Sequence, residues 1–397
     1  MPGKTVTVSN AAQLLTAARA AKSGDTILLA SGNYGDVSLS NINPAGTITI
    51  KSANPDNDAV FRTLNTSRIS NIVFDDIDIY RPLDPGANQK TFIANIGGNN
   101  LTFVGIDVSG SLNGSALDDG HGMLFSGTHI SVLNSTFQQL NTAVAARGED
   151  FLFAGNTVTE VREGVGITAM TRGVFENNYM ANWQPNYAAG EHPDMFQVHS
   201  GGNGTASSEL IFRNNIMLPG DNPVGGIMIG MQGVGVTAKH DNILIENNYY
   251  EGAYRHAISV SNTEDVTVRN NTVLMGDNHG LVPAIMFADV HGGLVEKNVS
   301  TLILEHRTLK DTDMVFSNNI DVWDSKFKKG ILVSELFASG SDDNLDFSNL
   351  NVISTSAAGR AGAGFSAVAD IGHLSGSSTA QMAAWLPGYD QHFTVFA

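Results

Sequence analysis

The sequence contains no cysteine among its 397 residues. Disulfide bonds, thiolate nucleophiles and cysteine-ligated zinc are therefore excluded, and histidine and carboxylate side chains remain as metal ligands. The chain is also poor in positive charge, with 22 Lys and Arg against 39 Asp and Glu and a net charge of −17. This balance argues against nucleic acid or an anionic membrane as a partner.

Long apolar runs are missing as well. The opening MPGKTVTVSNAAQLL has no apolar segment after a basic start, and no later stretch approaches the length of a membrane-spanning helix. We expect a soluble protein that is secreted or extracellular, with its export signal outside this chain.

A short pattern recurs eleven times, in which alternating apolar and polar residues run into a bend rich in Asn and Gly. The copies are FDDIDI at 74, FVGIDV at 103, VLNSTF at 132, FAGNTV at 153, FENNYM at 175, FRNNIM at 212, IENNYY at 245, VRNNTV at 268, VEKNVS at 295, FSNNID at 316 and FSNLNV at 347. Their starts are 21 to 37 residues apart. A period in the low twenties with insertions is typical of a repeat architecture.

Each copy is interpreted as a short strand followed by a bend, because Asn tolerates left-handed backbone geometry and stacked Asn side chains bond to one another. A second strand series precedes these copies, including GMLFSG at 122, GVGITA at 164 and AISVSN at 257. The pattern predicts an all-β fold, a right-handed parallel β-helix over residues 1–355. A leucine-rich horseshoe lacks its required Leu spacing here, and a β-sandwich would not keep the Asn ladder.

The two ends of the chain depart from the repeat. Ser9 or Asn10 is placed to cap an Ala- and Leu-rich amphipathic helix at about residues 11–21, which would cover the open end of the solenoid. Past about residue 355 the period is lost. Residues 356–397 are predicted to be an irregular tail that packs on the β-helix.

The opening LLTAARAAKSGDTILLASGNYGDVSLSN, followed by GTITIKSANP, resembles the N-terminal turns of polysaccharide lyases of the chondroitinase B and poly-mannuronate lyase type. GGIMIGMQ at 225–232 resembles a middle turn of the same family. The resemblance implies a β-helix that cleaves an acidic polysaccharide. It also implies a catalytic Lys and Arg on the next two turns, where this sequence has Ser261 and Ala288. The catalytic pair of that family therefore does not carry over.

The stretch AAGEHPDMFQVHSGG at 188–202 concentrates ionisable and amide side chains. With Phe196 and Val198 inside the solenoid, we expect Asp194 and His199 to face outward. Aligning the turns places Glu163 beside Asp194, because adjacent parallel strands lie about 4.8 Å apart. The predicted catalytic residues are Asp194, His199, Glu163, His256, Arg255 and Arg147. The predicted substrate-binding residues are Trp183, Tyr187, His192, Gln197, Gln232 and Tyr254.

Elimination from a uronic acid polymer, such as an acidic exopolysaccharide, requires neutralisation of the C6 carboxylate, removal of the C5 proton and protonation of O4. Arg255 or Arg147 suits the first task, and His199 or His256 suits the second. Tyr187, Tyr254 or a second His suits the third. The cofactor prediction is that none is required or that Ca²⁺ shares the neutralising role. The candidate ligands for Ca²⁺ are Asp118, Asp119, Glu163 and Asp194.

Three other functions stay open. Glu163 and Asp194 form a candidate carboxyl pair for an inverting or retaining glycoside hydrolase or a tailspike-type depolymerase. A uronan C5-epimerase shares the first two steps of elimination, but HPD at 192–194 reverses the Asp-Pro-His order of mannuronan epimerases. A β-helix that only binds glycan has less need for grouped titratable residues.

Overall fold

Parallel strands run through most of the described part of this computed structural model. The structure describes residues 3–84, 86–200, 204–230, 237–276, 281–304, 312–322, 330–337, 340–341, 344–345 and 352–366. The first fourteen strands are β1 (Thr5–Val8), β2 (Thr26–Leu29), β3 (Gly32–Ile42), β4 (Ile48–Ser52), β5 (Ala59–Asp75), β6 (Ile77–Tyr80), β7 (Phe92–Val104), β8 (Asp107–Ser109), β9 (His121–Leu133), β10 (Thr136–Gln138), β11 (Thr142–Ala154), β12 (Thr157–Thr159), β13 (Glu163–Glu176) and β14 (Tyr179–Ala181).

The later strands continue the same series. They are β15 (Asp194–His199), β16 (Ser208–Arg213), β17 (Ile216–Leu218), β18 (Gly225–Ile229), β19 (His240–Glu246), β20 (Tyr249–Gly252), β21 (His256–Arg269), β22 (Thr272–Met275), β23 (Ala284–Glu296), β24 (Val299–Ser300), β25 (Ile303–Leu304), β26 (Thr312–Ser317), β27 (Ile320–Asp321), β28 (Gly340–Ser341) and β29 (Asn344–Leu345). The helices are α1 (Ala11–Ala20), α2 (Val333–Leu336), α3 (Ala357–Ala361) and a 3-10 turn at Tyr187–Ala189.

Strands β1 to β27 form one network in which each strand pairs in parallel with strands one turn earlier and later. Thr136 of β10 pairs with Thr157 of β12, which pairs with Tyr179 of β14 and then Ile216 of β17. These steps follow the spacing of the repeat. The predicted all-β parallel β-helix is therefore confirmed.

The Asn pairs of the repeat divide two tasks between neighbouring residues. In FENNYM, Asn177 adopts a left-handed φ of 55°, which turns the chain, and Asn178 is fully buried. Nδ2 of Asn178 donates to Oδ1 of Asn215 at 2.9 Å, and Asn215 donates in the same way to Asn248. The complete ladder consists of Asn156, Asn178, Asn215, Asn248, Asn271, Asn298 and Asn319. The ladder satisfies buried polar groups at the corner of each turn.

A second ladder carries alternating charge. Glu176, Arg213, Glu246, Arg269 and Glu296 occupy one register position on successive turns. Nε of Arg213 lies 2.5 Å from a Glu176 carboxylate oxygen, and Nε of Arg269 donates to Glu246 at 2.8 Å. Each turn therefore has neighbours of opposite charge.

The interior of the solenoid is apolar and continuous from turn to turn. The ring of Phe74 stacks on Phe103 with centroids 4.8 Å apart, and Phe175 stacks on Phe212 at 5.0 Å. Phe196 is fully buried among them, as predicted. This packing fixes which residues of each strand face outward.

Helix α1 begins after Asn10, whose Oδ1 accepts a hydrogen bond from the backbone N–H of Gln13 at 3.0 Å. Leu14 and Ala18 face the solenoid and are buried. The predicted N-terminal capping helix is confirmed. No helix within the described residues is both long and apolar enough to span a membrane.

Residues 352–366 pack against the side of the later turns. The ring of Phe365 lies 5.9 Å from that of Tyr249, and its N–H donates to Oγ1 of Thr272 at 2.8 Å. Helix α3 lies within this segment. Residues 367–397 lie outside the described residues, so the predicted boundary at 355 stays a prediction.

Candidate active site

Several predicted site residues occupy the same register position on successive turns, and we call this line of positions the column. Thr142 pairs with Glu163, and Asp194 pairs with Gly225 on the following turn. His256 follows one turn later, since Ile227 pairs with Ile258. The backbone N–H of Asp194 donates to Oε2 of Glu163 at 3.4 Å. The prediction that Glu163 and Asp194 are neighbours is confirmed, and Gly225 separates Asp194 from His256.

Asp194 does not face outward as expected, because only 7% of its surface is exposed. One carboxylate oxygen accepts from Nε2 of Gln197 at 3.0 Å. The other lies over Gly225, where a Cβ atom would come within 1.9 Å of Oδ1. The missing side chain at position 225 therefore makes room for the Asp194 carboxyl group. Asp194 has the same parity as Phe196 and Val198, so strand alternation itself favours the inward side for its carboxyl group.

The two carboxyl groups hold protons more strongly than free carboxyl groups do. Burial raises the pKa of Asp194 to about 7. Burial, and then the negative charge of Asp194, raise the pKa of Glu163 to about 8. Water stabilises the ionised form of a carboxyl group, and two close carboxylates repel each other. The pair therefore retains a proton at neutral pH.

An arginine that sequence reasoning missed lies beside the pair. Arg162 is buried, forms an ion pair with Glu191 and donates to Oε1 of Gln89 at 2.8 Å. Glu191 also accepts from the backbone N–H of Asn186 at 2.6 Å. These contacts anchor the loop that precedes β15. The signal available in the sequence was the position of Arg162, directly before Glu163.

Aromatic and imidazole groups flank the column. The rings of Tyr254 and His256 have centroids 5.4 Å apart. Burial, and then Asp194, raise the pKa of Tyr254, so its phenol keeps its proton at neutral pH. The Tyr187 hydroxyl donates to the carbonyl of Pro223 at 2.9 Å, and Tyr187 remains 42% exposed.

His121 occupies the column position opposite Thr142, two turns before Glu163. Its ring centroid lies 4.8 Å from that of Phe92. Burial, and then the positive charges of Arg162 and Lys90, lower the pKa of His121 to about 4. The imidazole is therefore neutral at neutral pH.

Comparison of the sequence with known families identifies the family to which the chain belongs. The family described as the right-handed β-helix region matches residues 121–320, which is half of the chain. The chain belongs to the right-handed β-helix family. No curated protein matches it significantly.

Solved structures with a similar course of the chain include several polysaccharide-active proteins. The PL6 family alginate lyase AlyGC is 12% identical with a TM-score of 0.49, over 95% of this chain and 58% of that chain. Pectate lyase Pel9A is 14% identical with a TM-score of 0.42, over 90% of each chain. The Dettilon tailspike protein is 14% identical with a TM-score of 0.49, over 78% of this chain and 62% of that chain. The β-helix protein thus spans 58% of the length of AlyGC.

The remaining predicted catalytic residues of this β-helix protein divide between two ends of a strand. His199 pairs with Thr168 at the exit of β15, five residues beyond Asp194, or roughly 16 Å along an extended strand. Arg147 is exposed near that end, and its Nε donates to Oγ of Ser126 at 3.3 Å. Arg255 directly precedes His256 and is partly exposed. The predicted catalytic residues therefore do not form a single cluster.

His199 has a neighbour that sequence reasoning missed. His240 is fully buried, and its Nδ1 accepts from the backbone N–H of Ser207 at 3.0 Å. Burial lowers the pKa of both imidazoles, and the proximity of His199 further lowers that of His240. His240 lies between repeat copies, so the repeat pattern gave no signal for it.

The predicted stacking role of Trp183 is wrong. Trp183 is 1% exposed, and its carbonyl accepts from Nδ2 of Asn222 at 2.8 Å, so it packs inside the β-helix. His192 is exposed, and Gln197 is partly exposed but bonded to Asp194. Gln232 lies outside the described residues.

The four candidate calcium ligands do not form one group. Asp119 is fully buried and accepts from the N–H and hydroxyl of Ser111 at 2.7 and 3.1 Å, while Asp118 accepts from Asn113. Within the described residues, no three His, Asp or Glu side chains are arranged to hold a metal ion. Both aspartates thus hydrogen-bond within their own loop, as aspartates that form turns do.

Ser261 and Ala288 are direct register partners on β21 and β23. The Ser261 hydroxyl donates to the carbonyl of Ile229 at 3.1 Å. The positions that the resemblance assigns to a catalytic Lys and Arg are thus adjacent in space. Neither carries a side chain able to exchange a proton at neutral pH.

A second acidic group lies outside this column. Asp78 pairs with Asp107 on the next turn, beside a cavity of about 380 Å³ that Tyr80 also lines. Burial, and then Asp107, raise the pKa of Asp78 to about 6. Burial and neighbouring aspartates raise that of Asp58 to about 7. The FDDIDI copy carries Asp78, and the FVGIDV copy carries Asp107.

Proposed function

We propose that this β-helix protein cleaves an acidic polysaccharide by β-elimination at the face that carries Glu163, Asp194, Tyr254 and His256. The observation that supports it is a proton-holding carboxyl pair and a Tyr–His ring contact in the same region of one sheet. Elimination needs a base, an acid and stabilisation of the carboxylate beside the acidic carbon. His256 and Tyr254 offer the base and the acid, and the carboxyl pair, two to three turns earlier in the column, can contact the carboxylate of a neighbouring sugar of the same polymer.

We assign the base to His256, whose imidazole takes the C5 proton. The electrons of the C5–H bond form the C4–C5 double bond while the bond from C4 to O4 breaks. Tyr254 then gives its phenolic proton to O4, and the new chain end leaves as a neutral hydroxyl. Proton exchange with solvent restores neutral His256 and protonated Tyr254. Burial raises the pKa of Tyr254 and so keeps on its phenol the proton that it donates.

Glycoside hydrolysis is the second candidate, because the two carboxyl groups lie on adjacent turns. Adjacent parallel strands are about 4.8 Å apart, and retaining glycosidases use carboxyl groups about 5 Å apart. Asp194 is only 7% exposed, which argues against attack by its carboxylate on a sugar carbon. The elimination proposal is therefore preferred.

Both candidates are tested by incubating the protein with alginate, pectate and neutral polysaccharides. Absorbance of the unsaturated uronate and the number of reducing ends are followed together. Elimination yields both signals, and hydrolysis yields reducing ends alone. Reducing ends without absorbance would refute the lyase, and no cleavage of any acidic polymer would refute both.

Two tyrosine variants test the assignment of the acid. Tyr254→Phe is expected to lower turnover about 10²- to 10⁴-fold, the usual contribution of general acid catalysis. Tyr179→Phe, on an exposed strand outside the column, is the matched control. Equal activity of the two variants would remove Tyr254 from the mechanism.

A further inference from the structure

An acidic substrate poses an electrostatic problem for this protein. The chain has a net charge of −17, so a uronic acid polymer approaches a repulsive background that salt only partly screens. Arg162, beside the carboxyl pair, is buried and engaged with Glu191 and Gln89. Arg147 lies near the other end of the strand, bonded to Ser126. Arg255 is partly exposed, but it precedes His256, two turns beyond Asp194. A sugar carboxylate bound over the Glu163–Asp194 pair therefore needs a partner at the pair itself.

We propose that Glu163, in its protonated form, receives the carboxylate of the acidic sugar by donating a hydrogen bond to it. Asp194 is a positioning residue that keeps the proton on Glu163. The inference rests on the proposed function, and it deepens that function by naming the group that recognises the acidic sugar.

Glu163 and Asp194 differ in their exposure to solvent, and this difference assigns them different roles. Glu163 is partly exposed, whereas Asp194 is 7% exposed and held by Gln197 at 3.0 Å. Oε2 of Glu163 accepts the backbone N–H of Asp194. The other carboxyl oxygen of Glu163 is therefore the one to carry the proton toward a ligand. Hydrogen bonds between a neutral acid and a carboxylate are short and strong, and they add no net charge to the protein.

The charged neighbours of Glu163 favour retention of its proton. Burial has the largest effect on its pKa, the charge of Asp194 the next, and Glu191 adds to both. The hydrogen bond from the Asp194 backbone N–H and the charge of Arg162 lower the pKa of Glu163, with smaller effects than burial and the Asp194 charge. The remaining titratable groups that face the pair are Tyr187, Tyr250, Tyr254, His121 and His256. The tyrosines stay neutral because burial raises their pKa values, and His121 stays neutral because its pKa is lowered.

Binding of an acidic sugar should then depend on pH in a defined direction. A uronate carboxylate is ionised above about pH 5. Asp194, whose pKa is about 7, loses its proton before Glu163 does, so its new negative charge weakens affinity only modestly while Glu163 is still protonated. Above about pH 8 the dissociation constant should rise tenfold for each pH unit, as the competent fraction falls.

The experiment is calorimetry of the full chain with tetramers of mannuronate and galacturonate and with their carboxyl-reduced neutral forms. At least one acidic tetramer should bind between pH 6 and 7 and lose affinity above pH 8, and its neutral form should bind at least tenfold more weakly. Flat affinity from pH 6 to 9, equal binding of acidic and neutral forms, or no binding of either acidic tetramer would overturn the proposal.

Two isosteric variants connect the pH dependence to the pair. Glu163→Gln, which keeps a donor and cannot ionise, should bind the acidic tetramer with little change and without pH dependence. Asp194→Asn removes the negative charge beside Glu163 and should move the loss of affinity to lower pH. Circular dichroism confirms that each variant is folded. Unchanged pH dependence in Glu163→Gln would overturn the assignment.

The outcomes of the binding and cleavage experiments are independent of each other. If acidic tetramers bind with the expected pH dependence but no double bond forms, the lyase proposal alone falls. If double bonds form but binding is independent of pH, the role of Glu163 alone falls. In that second case, loss of binding in Arg255→Ala or after chelation would identify an arginine or a metal ion as the neutralising group.

Discussion

A Cβ atom at position 225 would lie 1.9 Å from Oδ1 of Asp194. Contacts that short do not occur between unbonded atoms, so the Asp194 carboxyl group occupies space that a side chain would fill on the neighbouring turn. Gly225 thus determines where Asp194 lies, although it contributes no chemical group.

Gly225→Ala should therefore displace the Asp194 carboxyl group and lower turnover at least tenfold. Gly166→Ala is the matched control on β13, the strand that pairs with the strand of Asp194, because its added methyl group would meet nothing closer than a carbonyl at 3.9 Å. Turnover and thermal unfolding of both variants are measured together. Equal turnover of the two variants would show that the position of Asp194 does not matter.

Stability should depend on the proton of Glu163. Its pKa rises from an ordinary 4.5 to about 8 on folding, so between these values the native state holds a proton that the unfolded state has lost. Stability from this group is complete below about pH 4.5 and is lost as pH rises toward 8. In Glu163→Gln, the fall in melting temperature over this range should be smaller by a few degrees. Parallel pH curves for the two proteins would contradict the raised pKa.

Phe196→Ala should destabilise the fold by about 3 to 5 kcal/mol through an internal cavity. Phe196 is fully buried and packs edge-on against Phe175 and Phe212. His192→Ala, at an exposed position four residues earlier, should change stability by less than about 0.5 kcal/mol. Urea unfolding of both variants measures the difference, and similar midpoints would place Phe196 outside the core.

The Asn pair at 214 and 215 allows a matched comparison of its two tasks. Asn215→Ala should cost on the order of 3 kcal/mol, because buried groups of Asn178 and the carbonyl of Phe175 lose partners. Asn214→Gly should cost less than about 1 kcal/mol, since glycine readily adopts the φ of 56° found there. Thermal unfolding that ranks the two variants in the opposite order would argue against the ladder.

Chelation tests the calcium prediction directly. Asp118 and Asp119 bond within their own loop, apart from the carboxyl pair. We therefore expect dialysis against a chelator to leave turnover unchanged. Loss of activity that returns when Ca²⁺ is added back would reinstate a metal in the neutralising role.

The repeat could be predicted because its physics is local. The bend needs a residue that tolerates left-handed geometry, as at Asn177. The buried ladder needs an amide side chain, as at Asn178. Both requirements place Asn in the sequence at each of these turns. The register that follows from these copies correctly placed Glu163 beside Asp194. Every neighbour in a solenoid lies one period away, so few long-range unknowns remain.

The details of the site depended on features with no local signature. The path of the loop after β14 decides whether Trp183 packs inward. The register places Gly225 in the column, but it does not show that the Asp194 carboxyl group lies over Gly225. Arg162 and His240 were missed because buried polar residues are identified by their partners. The proton-holding property of the pair required the burial of both groups, which alternation along a strand does not reveal.

The ladder of alternating charge has a consequence for how this solenoid can change its length. Loss of the single turn that carries Arg213 would bring Glu176 next to Glu246, two carboxylates in direct register. Loss of two consecutive turns would bring Glu176 next to Arg269 and restore the attraction. Gene duplications or deletions in this part of the chain should therefore be tolerated in pairs of turns, so the charge pattern gives the β-helix a parity as well as a period.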